Sequence, residues 1–240
     1  MIREAKYSDC GGRAYNEDTC ATWQKSSLFC AVMADGLGGH GGGDKASQTA
    51  VAVVEKGFQK VETEVSKEQL TEWFEVANEM IVSMQTGACQ MKTTLAVLAL
   101  NETEKSAIWA HLGDSRIYHF VDGKEVFCTF DHSVSRMAVL AGEISMEDIR
   151  FHDDRSKLLK VIGREGKSKP EIGQCSLKDG RQHAFLICTD GFWEYVTESE
   201  MEYALAFSNT PVEWLDGMRR ILEEKVDGRN DNNSAIAVFM

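Results

Sequence analysis

The 240-residue chain has only two prolines, Pro170 and Pro211. It has no internal repeat and no low-complexity stretch, and no segment is rich enough in proline or glycine to divide it. None of the seven cysteines (Cys10, Cys20, Cys30, Cys89, Cys128, Cys175, Cys188) forms a Cys-x-x-Cys pair, which excludes a zinc ribbon and a redox dithiol. The opening residues, Met1 to Lys6, carry no apolar leader core. No window reaches the ~18 apolar residues of a membrane span. A basic excess is also missing. Lys and Arg number 26 against 38 Asp and Glu, a net charge of −12, and a nucleic-acid partner needs a basic face. These absences predict a reduced, cytoplasmic, soluble protein with no nucleic-acid or membrane partner.

What is present is ordinary globular composition, 43% hydrophobic and 27% charged, with enough chain for one sizeable core. One stretch organises the rest: Ala31-Val32-Met33-Ala34-Asp35-Gly36-Leu37-Gly38-Gly39-His40. An apolar run that stops on an aspartate and opens into glycines reads as a buried strand followed by a sharp turn. A carboxylate fixed at a strand end suits a hard divalent cation, while Asp-Gly is also a common plain turn. The pattern recurs in Ala184-Phe185-Leu186-Ile187-Cys188-Thr189-Asp190-Gly191. Other Asp-Gly pairs differ. Asp122-Gly123 joins two apolar strands as a two-residue hairpin, and Asp179-Gly180 and Asp227-Gly228 lie in polar surroundings as surface turns.

In chain order, strands are predicted near residues 2–8, 21–24 and 28–34. Two helices follow. The first carries Ala46, Ala50, Val53, Val54 and Phe58, and the second buries a face of Leu70, Trp73, Phe74, Ala77, Met80, Ile81 and Met84. Short strands at 93–100, 106–111, 115–121 and 125–129 are too closely spaced for parallel crossovers, so they are antiparallel. Residues 131–163 form a small insertion with short helices at 134–141 and 145–149, the second with a Ser145–Asp148 capping arrangement. Strands at 176–177 and 181–189, helices at 198–207 and from Pro211, and a last strand at 234–240 complete the chain. Val212, Leu215, Met218 and Leu222 give the last helix its buried face. His111, His119, His152 and His183 show no metal-ligand spacing and read as structural or surface residues. Asp131 and His132 read as a local turn. Trp193 and Tyr195 read as packing.

Eight stretches now stand in a characteristic order: Arg13-Ala14-Tyr15-Asn16-Glu17-Asp18, Asp35 to Gly41, Lys92-Thr93-Thr94, Gly113-Asp114-Ser115-Arg116, Asp131-His132-Ser133, Leu159 to Gly163, Cys188 to Glu194, and Asp231-Asn232-Asn233-Ser234. Together they resemble the metal-dependent serine/threonine protein phosphatases of type 2C, in their short bacterial form, over nearly the whole chain. The resemblance implies an α+β fold of two packed antiparallel sheets flanked by helix pairs. It implies one catalytic domain over residues 1–240, with a flap at about 131–163. The implied cofactors are two or three divalent cations, Mn2+ or Mg2+. Asp35 would bridge two of them, Asp190 and Asp231 would complete the first, and the Gly36 carbonyl would bind the second. Glu17 and Asp18 would hold metal-bound waters, and Asp114 would serve a third ion. Arg13 would bind the phosphoryl group during in-line attack by a hydroxide bridging two ions.

The resemblance also implies phosphoprotein substrates, either opposite a cognate serine/threonine kinase or among anti-sigma-factor antagonists, and the chain is expected to be a monomer. The alternative is a non-catalytic, metal-binding interaction module of the same fold. Two positions depart from the family pattern. Leu37 stands where many members carry a histidine proposed to protonate the leaving group, and His40 does not take that role. Lys92 stands where glycine often precedes the paired threonines, which demands a local adjustment.

Overall fold

The computed structural model describes residues 1–38, 41–166, 169–178 and 180–240. Gly39, His40 and Asp179, singled out above, lie outside the described residues. The strands are β1 (Arg3–Asp9), β2 (Thr19–Lys25), β3 (Leu28–Ala34), β4 (Leu95–Asn101), β5 (Ser106–Leu112), β6 (Arg116–Val121), β7 (Lys124–Cys128), β8 (Glu171–Ser176), β9 (His183–Cys188) and β10 (Asn233–Phe239). They form two five-stranded sheets, in the orders β1-β10-β9-β6-β7 and β2-β3-β4-β5-β8. Every pairing within them is antiparallel. The expected Asp122-Gly123 hairpin joins β6 to β7, with both turn residues at positive φ (50° and 81°) as a tight primed turn requires.

The sheets pack face to face. Phe29, Ala31 and Met33 of β3 meet Ile117, Phe185, Ile187 and Ile236 of the other sheet. The alternate residues Cys30, Val32 and Ala34 point the opposite way, under α1 (Gly43–Phe58) and α2 (Lys67–Met84). This two-sided burial explains why β3 is apolar throughout. On the other flank Tyr118, Phe120, Leu186 and Cys188 pack under α4 (Asp190–Trp193), α5 (Glu198–Ala206) and α6 (Pro211–Lys225), with Trp193, Trp214 and Met218 at the contact. The four-layer α+β architecture is the expected one.

The expected helix faces needed trimming. On α2 only Leu70, Trp73, Phe74, Ala77 and Ile81 are buried; Met80 and Met84 sit at the edge of that stripe, 41% and 42% exposed. On α6 the buried stripe runs through Trp214, Leu215, Met218 and Leu222, which leaves Val212 outside. The strand expected at 176–177 extends back to Glu171 as β8. It is an edge strand with mixed exposure, and so lacks an apolar run. Its Gly173 lies flat under the Trp109 indole, where any Cβ would collide. The single turn α4 went unforeseen.

Between β7 and β8 the chain forms α3 (Val134–Leu140) and a short 3₁₀ turn at Glu147–Phe151, rather than a helix at 145–149. Ser145 donates from both its backbone N–H and its hydroxyl to Asp148, as its sequence pattern suggested. The insertion closes on itself through backbone bonds from Val134 to Lys157 and from Leu159 to His132. A further pair between Thr93 and Ile162 ties its end to the segment before β4.

Candidate active site

Asp35 follows the last residue of β3, where the strand leaves the sheet. Its backbone is fixed on both sides by the paired threonines. Its N–H donates to Thr94 Oγ1 (2.9 Å), and its carbonyl accepts from Thr93 Oγ1 (2.7 Å) and Thr94 N–H (2.9 Å). Thr94 is in turn held by Ser115 at 2.6 Å. The threonine motif therefore orients Asp35 without touching its carboxylate. Gly36 has no room for a side chain, because a Cβ would collide with the backbone of Gly43 and Glu17. The departure at Lys92 is absorbed nearby. Lys92 accepts a bond from Leu37 N–H, and the close backbone approach falls instead on Gly163, whose φ is +92° and whose missing Cβ leaves space for Met91 and Lys92.

Asp190 leaves β9 in the mirror position on the second sheet and begins α4. Gly191 behind it packs on the carbonyl of Asn232, which closes the space a Cβ would need. Asp114 sits in the turn between β5 and β6, and its carbonyl accepts the indole N–H of Trp193 at 2.9 Å. Asp18 precedes β2. One of its oxygens accepts from Thr189 (3.0 Å) and Ser234 (2.7 Å), while the other, Oδ1, is buried with no hydrogen-bond partner. The two sheets thus present carboxylates from their strand ends at one end of the sandwich.

The electrostatics of this cluster are distinctive. Burial raises the carboxyls of Asp35, Asp114 and Asp190 above their usual range. Repulsion from neighbouring aspartates adds to each. Asp18 is pushed up to about 7 by burial, against the pull of its two hydroxyl bonds. Asp35 and Asp190 are close enough for a carboxyl–carboxyl hydrogen bond. Glu17 is raised by burial and by Asp44.

Asp231 joins the cluster's field but stands at its rim. Its Oδ2 is paired with Arg13 at 2.7 Å, with both side chains about half exposed (58% and 46%). Asn232 braces the two loops that carry this pair. Its carbonyl oxygen accepts from Glu17 N–H (2.8 Å), and its amide donates to the carbonyls of Cys10 and Tyr15. The structure therefore brings Asp18, Asp35, Asp114 and Asp190 together and sets Arg13, Glu17 and Asp231 beside them. Among the described residues, no three acidic side chains bring one oxygen each within 4.8 Å of one another. Asp231 is paired with Arg13 and its charge still reaches Asp190.

Glu194 was missed. It lies four residues after Asp190, one helical turn on, and is raised to about 7 by burial and by Asp190. Arg155 from the insertion donates to it at 2.7 Å. The i, i+4 spacing from Asp190 was the available signal. Asp131, read as a local turn, instead forms a buried two-point pair with Arg116, at 2.8 and 2.7 Å.

Buried carboxylates with so little compensating positive charge are costly unless a cation joins them. All the donors are oxygens, and one of them, Asp18 Oδ1, is buried without a hydrogen-bond partner. That chemistry fits a hard divalent cation such as magnesium or manganese.

Comparison with known proteins gives this arrangement its class. The family model described as Protein phosphatase 2C matches residues 10–226. The chain belongs to that family and is a protein phosphatase. Protein phosphatase PhpP of Streptococcus pneumoniae is 33% identical over 178 residues, which cover 71% of this chain and 70% of that protein. The fold matches serine/threonine phosphatase Stp1 from Staphylococcus aureus, with a TM-score of 0.87 at 24% identity, over 100% of this chain and 95% of the other. It also matches the catalytic domain of the serine/threonine protein phosphatase PstP in complex with two manganese ions, with a TM-score of 0.80 at 23% identity, over 99% and 97% of the two chains.

Proposed function

We propose that the chain is a metal-dependent phosphatase that hydrolyses phosphoserine and phosphothreonine monoesters in proteins. The observation that carries this reading is the buried, under-compensated carboxylate cluster at the strand ends. Asp35 would bridge two divalent ions, with Asp190 and Asp231 completing the first and the Gly36 carbonyl serving the second. Asp114 would serve a third, and Glu17 and Asp18 would accept hydrogen bonds from water held there. Bound ions of this class lower the pKa of water and neutralise phosphoryl charge.

The chain's own contribution is positional. The Thr93–Thr94 pair fixes the backbone of Asp35, and Asn232 fixes the two loops that carry Arg13 and Asp231. Arg13 offers planar paired donors suited to phosphoryl oxygens. Its present partner is an exposed carboxylate, so a substrate phosphate competes for it at low cost. Leu37 supplies no proton, so the leaving-group acid is not a side chain at that position. The reading treats residues 1–240 as one catalytic domain with a flap at 131–163. It takes the protein as a cytoplasmic monomer acting opposite a serine/threonine kinase. In support, all seven cysteines are free thiols, and no helix is long and apolar enough to cross a membrane among the described residues.

The test is phosphate release from a phosphothreonine peptide by the purified protein, with manganese titrated from zero and a chelator control. Activity that appears with manganese and disappears with chelator supports the proposal. A folded protein that binds manganese but releases no phosphate from any phosphopeptide overturns it in favour of a non-catalytic module.

A further inference from the structure

A second cluster of ligand-type side chains lies apart from the carboxylates. His111 on β5 and Glu171 on β8 are direct cross-strand partners. His132, at the root of the insertion, joins them through its backbone, whose N–H donates to the Gly113 carbonyl at 3.0 Å. The two imidazoles stack with centroids 4.8 Å apart and planes 23° apart. One ligand atom from each of His111, His132 and Glu171 lies within 4.8 Å of the others, and this is the only such trio among the described residues.

Two features point to a ligand here. His111 is 1% exposed and His132 9%, yet His111 Nδ1 and His132 Nε2 are both buried without a hydrogen-bond partner. The nearest carboxylate oxygen to His132 Nε2, on Glu171, is 3.6 Å away, beyond hydrogen-bonding distance. In addition, His111 Nε2 lies 2.8 Å from the Phe130 carbonyl. That bond places the ring proton on Nε2 and leaves the Nδ1 lone pair free. A carbonyl holding the far nitrogen is the usual support of a metal-binding imidazole.

We propose that His111, His132 and Glu171 form a binding site for a divalent transition metal of the zinc class. Two imidazoles and one carboxylate suit zinc, whereas the all-oxygen cleft suits magnesium or manganese. A tetrahedral ion with bonds of ~2.1 Å spaces its ligands about 3.4 Å apart. Glu171 can close that distance because its side chain is 55% exposed. The open side leaves a fourth position to water. Gly113 N–H now donates to His132 Nδ1 at 3.2 Å, which puts the His132 proton on Nε2. Coordination through Nε2 moves that proton to Nδ1 and ends the bond. Filling the site therefore frees the Gly113 amide, one residue before Asp114. Lys160, an exposed cation whose field reaches both imidazoles, opposes the ion and limits its affinity.

The experiment uses the full chain in excess magnesium, which occupies the oxygen cleft, and titrates cobalt(II) as the probe. The expected result is an intense four-coordinate visible band that saturates at one equivalent and is displaced by zinc. The band should survive in D190N, weaken about tenfold or more in affinity in E171Q, and vanish in H111N. Zinc should also shift the Gly113 amide resonance. Absence of the band overturns the proposal, as does a band equal in wild type and E171Q, or one lost in D190N. E171Q alters an exposed side chain, so it stays informative even if H111N fails to fold.

Discussion

At the residue scale, the carboxylate cluster exchanges stability for charge. Asp35, Asp114 and Asp190 are each raised first by burial; the Asp190 charge then adds to Asp35 and Asp114, and the Asp231 charge adds to Asp190. Asp190→Asn removes one charge while keeping the shape. It is expected to lower manganese-dependent turnover by ~10²-fold or more, the scale of losing one electrostatic contact at a reacting centre. The same variant should melt at a higher temperature than wild type in chelator, because a repelling neighbour is gone. Both are read from one preparation, by phosphate release and by thermal denaturation. A variant equally active in manganese would remove Asp190 from the site. Asp35 and Asp190 were legible because strand ends carry a local pattern: an apolar run, then Asp-Gly. The His111, His132 and Glu171 trio was not, since only strand register and a backbone pair bring it together, and His111 had been read as structural. The same limit hid the pairing of Asp131 with Arg116. Spacing along the chain does not encode a contact between strands.

At the element scale, two contacts tie the helices and the insertion to the body of the fold. The first joins α1 to α2. Gly57 faces the indole of Trp73, and a Cβ there would lie only 2.2 Å from its Nε1. Gly57→Ala gains helix propensity of about 1 kcal/mol. Overpacking against a buried tryptophan costs ~1–3 kcal/mol. Net destabilisation is expected, with an urea midpoint below wild type and an unchanged slope.

The second contact anchors the insertion. Arg150 reaches from the 3₁₀ turn to the carbonyl of Trp193 (2.9 Å) and to both oxygens of Glu198 on α5 (2.8 Å each). Arg116 lies 3.6 Å over the Trp193 ring, so the root of the insertion and α4 share one buried network. Burial pulls the Glu198 carboxyl up, but its bonds to Arg150 and the charge of Arg116 outweigh it and hold the group below its usual range. Its stabilising effect is therefore complete above the unfolded value of about 4.3 and is lost as pH falls through the lower folded value. Glu198→Gln should destabilise at pH 7, and its deficit against wild type should shrink at pH 3. Denaturant melts at the two pH values check this, and a constant deficit would contradict it. Helix positions were well read from apolar spacing. The exposed edges, Met80, Met84 and Val212, were not, because periodicity gives a direction and not the width of the buried stripe.

At the scale of the whole molecule, strand spacing marked only the strands within 93–129 as antiparallel, the two packed sheets were implied by the family resemblance, and the edge strand β8 was legible only at its end, for want of an apolar run. The cleft that joins them takes its residues from both, so whatever binds there binds the folded state alone. Manganese at a hundred times its dissociation constant adds about 2.7 kcal/mol. For a chain of this size that raises the melting temperature by about 5–10 °C. Calorimetry with manganese, then with chelator, should show the rise and its reversal. Unchanged melting would mean that the carboxylates hold no ion.

The order of strands also bears on how the protein is made. β10, the latest in chain order of these ten strands, lies between β1 and β9 rather than at an edge. A nascent chain can complete the sheet β2-β3-β4-β5-β8, with its helix pair, while its other sheet still lacks a middle strand. Asp231 and Asn232 directly precede β10 and arrive with it. The carboxylate cluster is therefore joined by Asp231 only when β10 inserts. A ribosome that stalls before residue 231 leaves a half-built sandwich with an open seam, which exposes strand edges on both sides of the gap.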